Sequence, residues 1–202
     1  MKTGTIIPFI ILLFISCGSK DDKTILPKDC TLETGDIVFR RGGGLSSRAV
    51  LMADNNGRYS HVGIVVDSAG KKMIVHAVPD EPDYPGDYDR VKMECPESFF
   101  DYMKASTGEV RRLKTDTSRA IKAARYAKEI YYRRTRFDHD YNDDDTTEMY
   151  CCELVEHVYS KTEISLSNGK KHTINLPGIK EIHCILPSDI CNSDLLKKIK
   201  SF

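Results

Sequence analysis

Two adjacent thiols, Cys151 and Cys152, open a segment in which Leu154, Val155 and Val158 recur at helical spacing, so a helix is expected over about residues 151–160. On that face Cys151 joins the apolar stripe, while Cys152, about 100° further round, is expected to turn away from the core. A thiol in a first helical turn lies beside unpaired backbone N–H groups at the positive end of the helix dipole, which favours its thiolate. Such a sulfur attacks a carbonyl once a base manages its proton. His61 opens the run His-Val-Gly-Ile-Val-Val-Asp and is the candidate base. His76 follows fifteen residues later, beyond a turn at Asp67-Ser68-Ala69-Gly70, where it can orient His61 across a hairpin. The N–H of Cys151 with a neighbouring donor would serve as oxyanion hole. Taken singly, each residue also has a plainer use: a histidine in a strand is commonly a core residue, and a cysteine at a helix start commonly packs. Tyr59 and Tyr150 flank the reacting pair and either line the cleft or form its wall.

These groups need a sheet and a helix to bring them together. Gly35 to Arg40 reads as a turn and a short strand, Arg41 to Gly44 as a loop, and Arg48 to Ala53 as a short helix behind a Ser46-Ser47 cap. His61 to Asp67 is apolar on both faces and suits a buried strand, paired through the turn with Lys72 to Val78. Pro79 to Asp89 is acidic, carries three prolines and reads as a surface loop. Strands are expected at 90–94 and 109–113 with a helical turn at 97–104 between them. The strongest helix follows the Thr115-Asp116-Thr117-Ser118 cap, with Ala120, Ala124, Ala127 and Tyr131 on one stripe. Residues 165–185 hold turns and short strand candidates, and 187–200 are expected to form helical turns.

Four segments in this order, Gly35-Asp36-Ile37-Val38-Phe39, Tyr59-Ser60-His61-Val62-Gly63-Ile64-Val65, Val75-His76-Ala77-Val78 and Tyr150-Cys151-Cys152-Glu153-Leu154-Val155, resemble the permuted NlpC/P60 papain-like enzymes of the YiiX/YaeF type. The histidine precedes the cysteine, as circular permutation of a papain-like chain requires. The resemblance implies an α+β fold with an antiparallel sheet or small barrel packed on the helix that carries the nucleophile. It maps the nucleophile to Cys151, the base to His61 and the orienting position to His76, where bacterial relatives often have Glu. Histidine there is similar to the lecithin:retinol acyltransferase-like group. The implied activity is a cysteine amidase or peptidase that cleaves amides, in cell-wall or other peptides, through an acyl-enzyme. The alternatives are a lipid acyl hydrolase or acyltransferase, and a binding lipoprotein without turnover. A long apolar groove favours the lipid reading, and a short polar pocket the peptidase.

The chain has 202 residues, enough for one domain, with 40% hydrophobic residues, so it is not disordered by composition. Thirty basic side chains balance thirty acidic ones, which leaves no net field to collect nucleic acid. Residues 1–16 read as a signal peptide: Met1-Lys2, then an apolar run too short to span a bilayer as a permanent helix. Phe14-Ile15-Ser16-Cys17 resembles a lipoprotein signal-peptidase box. Cys17 is therefore expected to carry lipid and anchor the protein in the bacterial cell envelope, with residues 17–29 as a tether and 30–202 as the catalytic domain. No Cys-x-x-Cys pair occurs, so no metal and no cofactor are expected. Asp138 to Met149 lacks the turn glycine and terminal Glu of a calcium loop. Cys184 and Cys191 read as buried thiols or a disulfide.

Overall fold

The apolar runs on either side of Asp67–Gly70 form the centre of one twisted sheet. In the computed structural model, residues 23–55, 57–141, 145–174 and 181–202 are described. The expected signal peptide, Cys17 and the start of the expected tether lie outside the described residues. The elements in chain order are β1 (Ile37–Arg41), α1 (Leu45–Ala53), β2 (His61–Ser68), β3 (Lys71–Val78), β4 (Arg90–Glu94), α2 (Pro96–Phe99), β5 (Thr107–Leu113), α3 (Thr117–Tyr132), β6 (Arg136–Phe137), β7 (Glu148–Met149), α4 (Cys151–Ser160), β8 (His172–Ile174), β9 (Ile182–Cys184), α5 (Pro187–Cys191) and β10 (Leu196–Ser201). The main sheet runs β10-β5-β1-β2-β3-β4-β6-β7, antiparallel except for β6 and β7, and β8 with β9 forms a small second sheet. The fold is the expected mixed α+β arrangement with a helix carrying the paired cysteines against a large sheet.

Ala69 and Gly70 both have positive φ, as a tight turn between right-twisted strands demands, and Asp67 Oδ1 accepts the Gly70 N–H at 3.0 Å. Register then fixes the two faces of the sheet. Ile37, Phe39, Val62, Ile64, Val66, Val75 and Ala77 point to one side, where α3 and α4 cover them. Helix α3 buries Ala120, Ala123, Ala124, Ala127 and Ile130, and the four alanines let it lie close to the strands. On the other face Val38, Val65, Ile74 and Val110 pack with Phe99, Phe100 and Ala105.

Three expectations are corrected. Residues 23–29 belong to the folded body: Tyr102 N–H donates to the Lys23 carbonyl at 2.8 Å, Ile25 N–H donates to the Phe100 carbonyl at 2.9 Å, and Ile25 and Leu26 pack on the second core. The apolar side chains of this stretch have a partner surface that its polar N-terminal flank conceals in the sequence. The C-terminal stretch is helical only at α5. Lys197 to Ser201 pair with β5 as an edge strand, whose lysines face solvent, and Phe202 closes on the Phe100 ring at 5.1 Å. Finally, both thiols of α4 are buried. A one-sided stripe assumes one wet face, but α4 is enclosed by the sheet, by α3 and by α5. Among the described cysteines none is in a disulfide.

Candidate active site

Cross-strand register alone assembles one row of polar side chains on the face opposite the long helices. Arg40 stands opposite His61, and Ile64 opposite Val75, which sets His76 beside Gly63. His76 stands opposite Lys92, and Ile74 opposite Glu94. His61 therefore reaches diagonally across Gly63 to His76, and its Nε2 lies 2.8 Å from His76 Nδ1. Gly63 makes this approach possible, since a Cβ there would come within 2.8 Å of Ile74 Cγ2 and 3.2 Å of His76 Cβ. The Phe99 ring backs both imidazoles, with centroids 5.7 Å from His61 and 5.2 Å from His76.

Cys151 approaches from the other side. Its helix packs on the opposite face of the sheet, and where β2 begins the His61 imidazole and the Val62 N–H lie close enough to the Cys151 thiol to favour its thiolate. With Nε2 of His61 committed to His76, Nδ1 is left for the sulfur. Cys152 Sγ lies 3.9 Å from Cys151 Sγ. Its proton-sharing contact, then His61 and Val62, lower the Cys151 pKa against the cost of burial. Burial and the neighbouring sulfur push Cys152 the other way, so it keeps its proton and acts as donor. The Tyr150 N–H is capped by Glu153 Oε2 at 3.2 Å, whereas the N–H groups of Cys151 and Cys152 belong to the first turn and have no carbonyl partner within the helix.

Burial, followed by the Arg40 charge, lowers the His61 pKa to about 4, and contact with Cys151 only partly opposes this. A thiolate would hold a proton on His61, but burial and Arg40 prevail. The resting imidazole is neutral and able to accept a proton. His76, with no exposed surface, is also lowered by burial, against the pull of Glu94.

Behind His76 lies a part of the site that the sequence analysis missed. His76 Nε2 and Glu94 Oε1 are 3.0 Å apart, close in distance though not aligned as a hydrogen bond, so the contact is electrostatic. Burial raises the Glu94 pKa, but His76, Lys104 and Arg40 together hold it well below the carboxylate range. Lys104 bridges Glu94 at 3.1 Å and Glu81 at 2.8 Å, and Arg40 pairs with Glu81 while donating to the Phe99 carbonyl at 2.9 Å. Glu81 comes from the acidic loop 79–89, which is thus pinned over the row by ion pairs. The ionised carboxylate favours the Nε2–H tautomer of His76, which presents the Nδ1 lone pair to His61. The signal was present in the 90–94 strand, where alternation puts Lys92 and Glu94 on the face that His76 shares.

Of the two tyrosines, Tyr150 lines a cavity beside the sulfur, its hydroxyl accepting the Ile185 N–H at 2.9 Å. Tyr59 is buried away from that cavity, and its hydroxyl donates to Glu109 at 2.9 Å.

A family model described as a permuted papain-like amidase enzyme, YaeF/YiiX, C92 family, matches residues 31–200. The chain belongs to that family. As a C92 member it is a cysteine hydrolase of the amidase type, and its permuted topology places the strand histidine ahead of the helix cysteine. The fold is shared with the crystal structure of metalloprotein YiiX from Escherichia coli O157:H7, at TM-score 0.67 and 20% identity, over 84% of this chain and 97% of that one. No curated protein matches the chain.

Proposed function

We propose that this C92 amidase works through Cys151 as nucleophile, His61 as general base and His76 as the residue that orients His61. The observation that carries the proposal is the buried pair of imidazoles 2.8 Å apart, with His61 close enough to the Cys151 sulfur to lower the pKa of the thiol. The sulfur gives its proton to His61 and forms a C–S bond to the substrate carbonyl, and the first-turn N–H groups of α4 receive the negative oxygen. The C–N bond then breaks, and the amine leaves with the proton from His61. Water attacks the thioester, His61 takes its proton, and the C–S bond breaks to release the acid and restore the thiol.

The apolar leader and Cys17 support an exported, lipid-anchored enzyme that meets amides of peptides in the cell envelope. No helix among the described residues is long and apolar enough to cross a membrane. The lipid acyl reading draws on one feature, the apolar cavity beside the sulfur. YiiX from Escherichia coli is described as a metalloprotein. Here the donor set does not fit an ion: His61 and His76 direct nitrogens at each other, His76 directs its second at Glu94, and no group of three or more candidate ligands converges among the described residues.

Alkylation with iodoacetamide followed by peptide mapping tests the dyad. Preferential labelling of Cys151 that slows in His61→Ala and vanishes in Cys151→Ser is expected. Equal labelling of Cys152, or labelling indifferent to His61, refutes it.

A further inference from the structure

We infer that the end of the body carrying α1 rests on a lipid bilayer, with Leu45, Met52 and Met103 sunk among its headgroups. This rests on the proposed lipid anchor at Cys17 and adds which face the anchored body turns to the membrane. None of the nine residues of α1 is buried, and Leu45 and Met52 are 84% and 79% exposed. Leu45, Arg48 and Met52 follow one another at i, i+3 and i+7, so they share one stripe, while Val50 and Ala53 turn away from it toward the cavity beside Cys151. The turn before β5 extends this surface. Met103 is 77% exposed, and Gly42 lies between the Ser47 side chain and the Lys104 carbonyl, which sets that turn against the start of α1. Apolar side chains clustered in the open beside an arginine are the pattern of an element that lies in a membrane interface.

Two observations name the occupant. The first is where the chain enters. Tyr102 N–H donates to the Lys23 carbonyl at 2.8 Å, so the described chain begins at this same surface. Lys23 follows Cys17 by six residues, a reach of about 20 Å at full extension. A domain of this size is about 40 Å across, so a lipid on Cys17 holds the bilayer to the end where the chain enters and cannot reach round to the other. The second is charge. Between residues 41 and 58, Arg41, Arg48 and Arg58 are exposed, and the one acid of that stretch, Asp54, is buried and accepts the Ser188 hydroxyl at 2.6 Å. That balance suits anionic headgroups. The basic face of α3 is placed elsewhere: Lys128 donates to the Asp67 carbonyl at the far end of β2, away from His61 and Arg41.

The chain contains no tryptophan, so single tryptophans at exposed positions report where the bilayer lies. The full-length protein, matured in cells, is reconstituted into vesicles of phosphatidylcholine and phosphatidylglycerol, with and without phosphatidylcholine brominated on its acyl chains. It carries Leu45→Trp, Met52→Trp, Met103→Trp or, on α3, Ile121→Trp, and mass spectrometry reads the lipid on Cys17. Emission from the first three should fall about twofold or more with brominated lipid, and that from Ile121→Trp should not change. Arg48→Glu, added to Met52→Trp, should weaken the quenching. Equal quenching at all four positions, or none at the first three, overturns the inference while lipid on Cys17 leaves the anchor standing. A blue shift at Leu45→Trp that grows with the protein-to-lipid ratio, without quenching, assigns the face to a second copy of the chain and also overturns it. A protein with no lipid on Cys17 overturns the anchor and the inference together.

Discussion

Replacing Glu94 by Gln keeps the shape of the group behind His76 and removes its charge. In the proposed mechanism His61 takes the thiol proton, and the resulting imidazolium would be stabilised through His76 by the carboxylate 3.0 Å behind it. The pair, misaligned at rest, is expected to align as a hydrogen bond when the imidazolium forms; a hydrogen bond to an ionised partner contributes about 1.5–3 kcal/mol and a neutral one about 0.5–1.5, so the substitution should cost about 1–1.5 kcal/mol. That is a fall of about 5- to 13-fold in the acylation rate of Cys151. The loss should appear in kcat more than in KM, because Glu94 acts through His76 and lies behind both imidazoles. Single-turnover acylation of the wild type, Glu94→Gln, His76→Gln and the double variant provides the assay. If Glu94 works as argued, its substitution adds little once His76 is already Gln. A full additional loss in that background, or less than a twofold effect in the wild type, refutes the relay.

Four further outcomes follow from the same geometry. With the His61 pKa lowered to about 4, acylation should hold nearly constant from pH 7 to pH 5 and fall as the pH drops through about 4, and a limb near the ordinary histidine value would contradict the burial argument. Cys152→Ala should raise the pH at which Cys151 becomes reactive toward iodoacetamide, while Cys152→Ser, which keeps a donor, should change it less. Gly63→Ala should cost about 1–3 kcal/mol in urea unfolding and slow acylation, because its Cβ must displace Ile74 or His76. Because the folded state holds His61 below its unfolded value of about 6.5, the unfolded chain binds a proton that the native state refuses, so stability should fall as pH falls from 6.5 toward 4. His61 alone accounts for on the order of 2 kcal/mol by pH 5, measurable by urea unfolding, and equal stability at pH 7 and pH 5 would refute this.

What the sequence disclosed depended on how local the controlling interaction was. Strands β2 and β3 were legible because both flanks of the Asp67–Gly70 turn are apolar and β-branched, and the cysteine's place in a first helical turn follows from the spacing of Leu154, Val155 and Val158. Cys152 was misplaced because helical period gives the angle between side chains but not how many sides of a helix are covered. Arg40 and Glu94 escaped notice because charges in short strands read as solvent-facing until register puts them in one buried row. The edge strand β10 hid behind its lysines, which suit an exposed strand as well as a helical turn. Its decisive contact, Phe202 on Phe100, joins residues half the chain apart.

Both ends of the described body fasten on one residue: Ile25 bonds to the carbonyl of Phe100, and the Phe202 ring rests on its side chain. Neighbouring ends can be spliced. A short linker from Phe202 to Thr24, with a new opening at the exposed Lys114–Asp116 stretch, would run the thiol-bearing helix ahead of the imidazole strand while leaving every contact in the site in place. The order of the reacting residues along the chain is thus a matter of where the ribbon is cut, and the chemistry is indifferent to it.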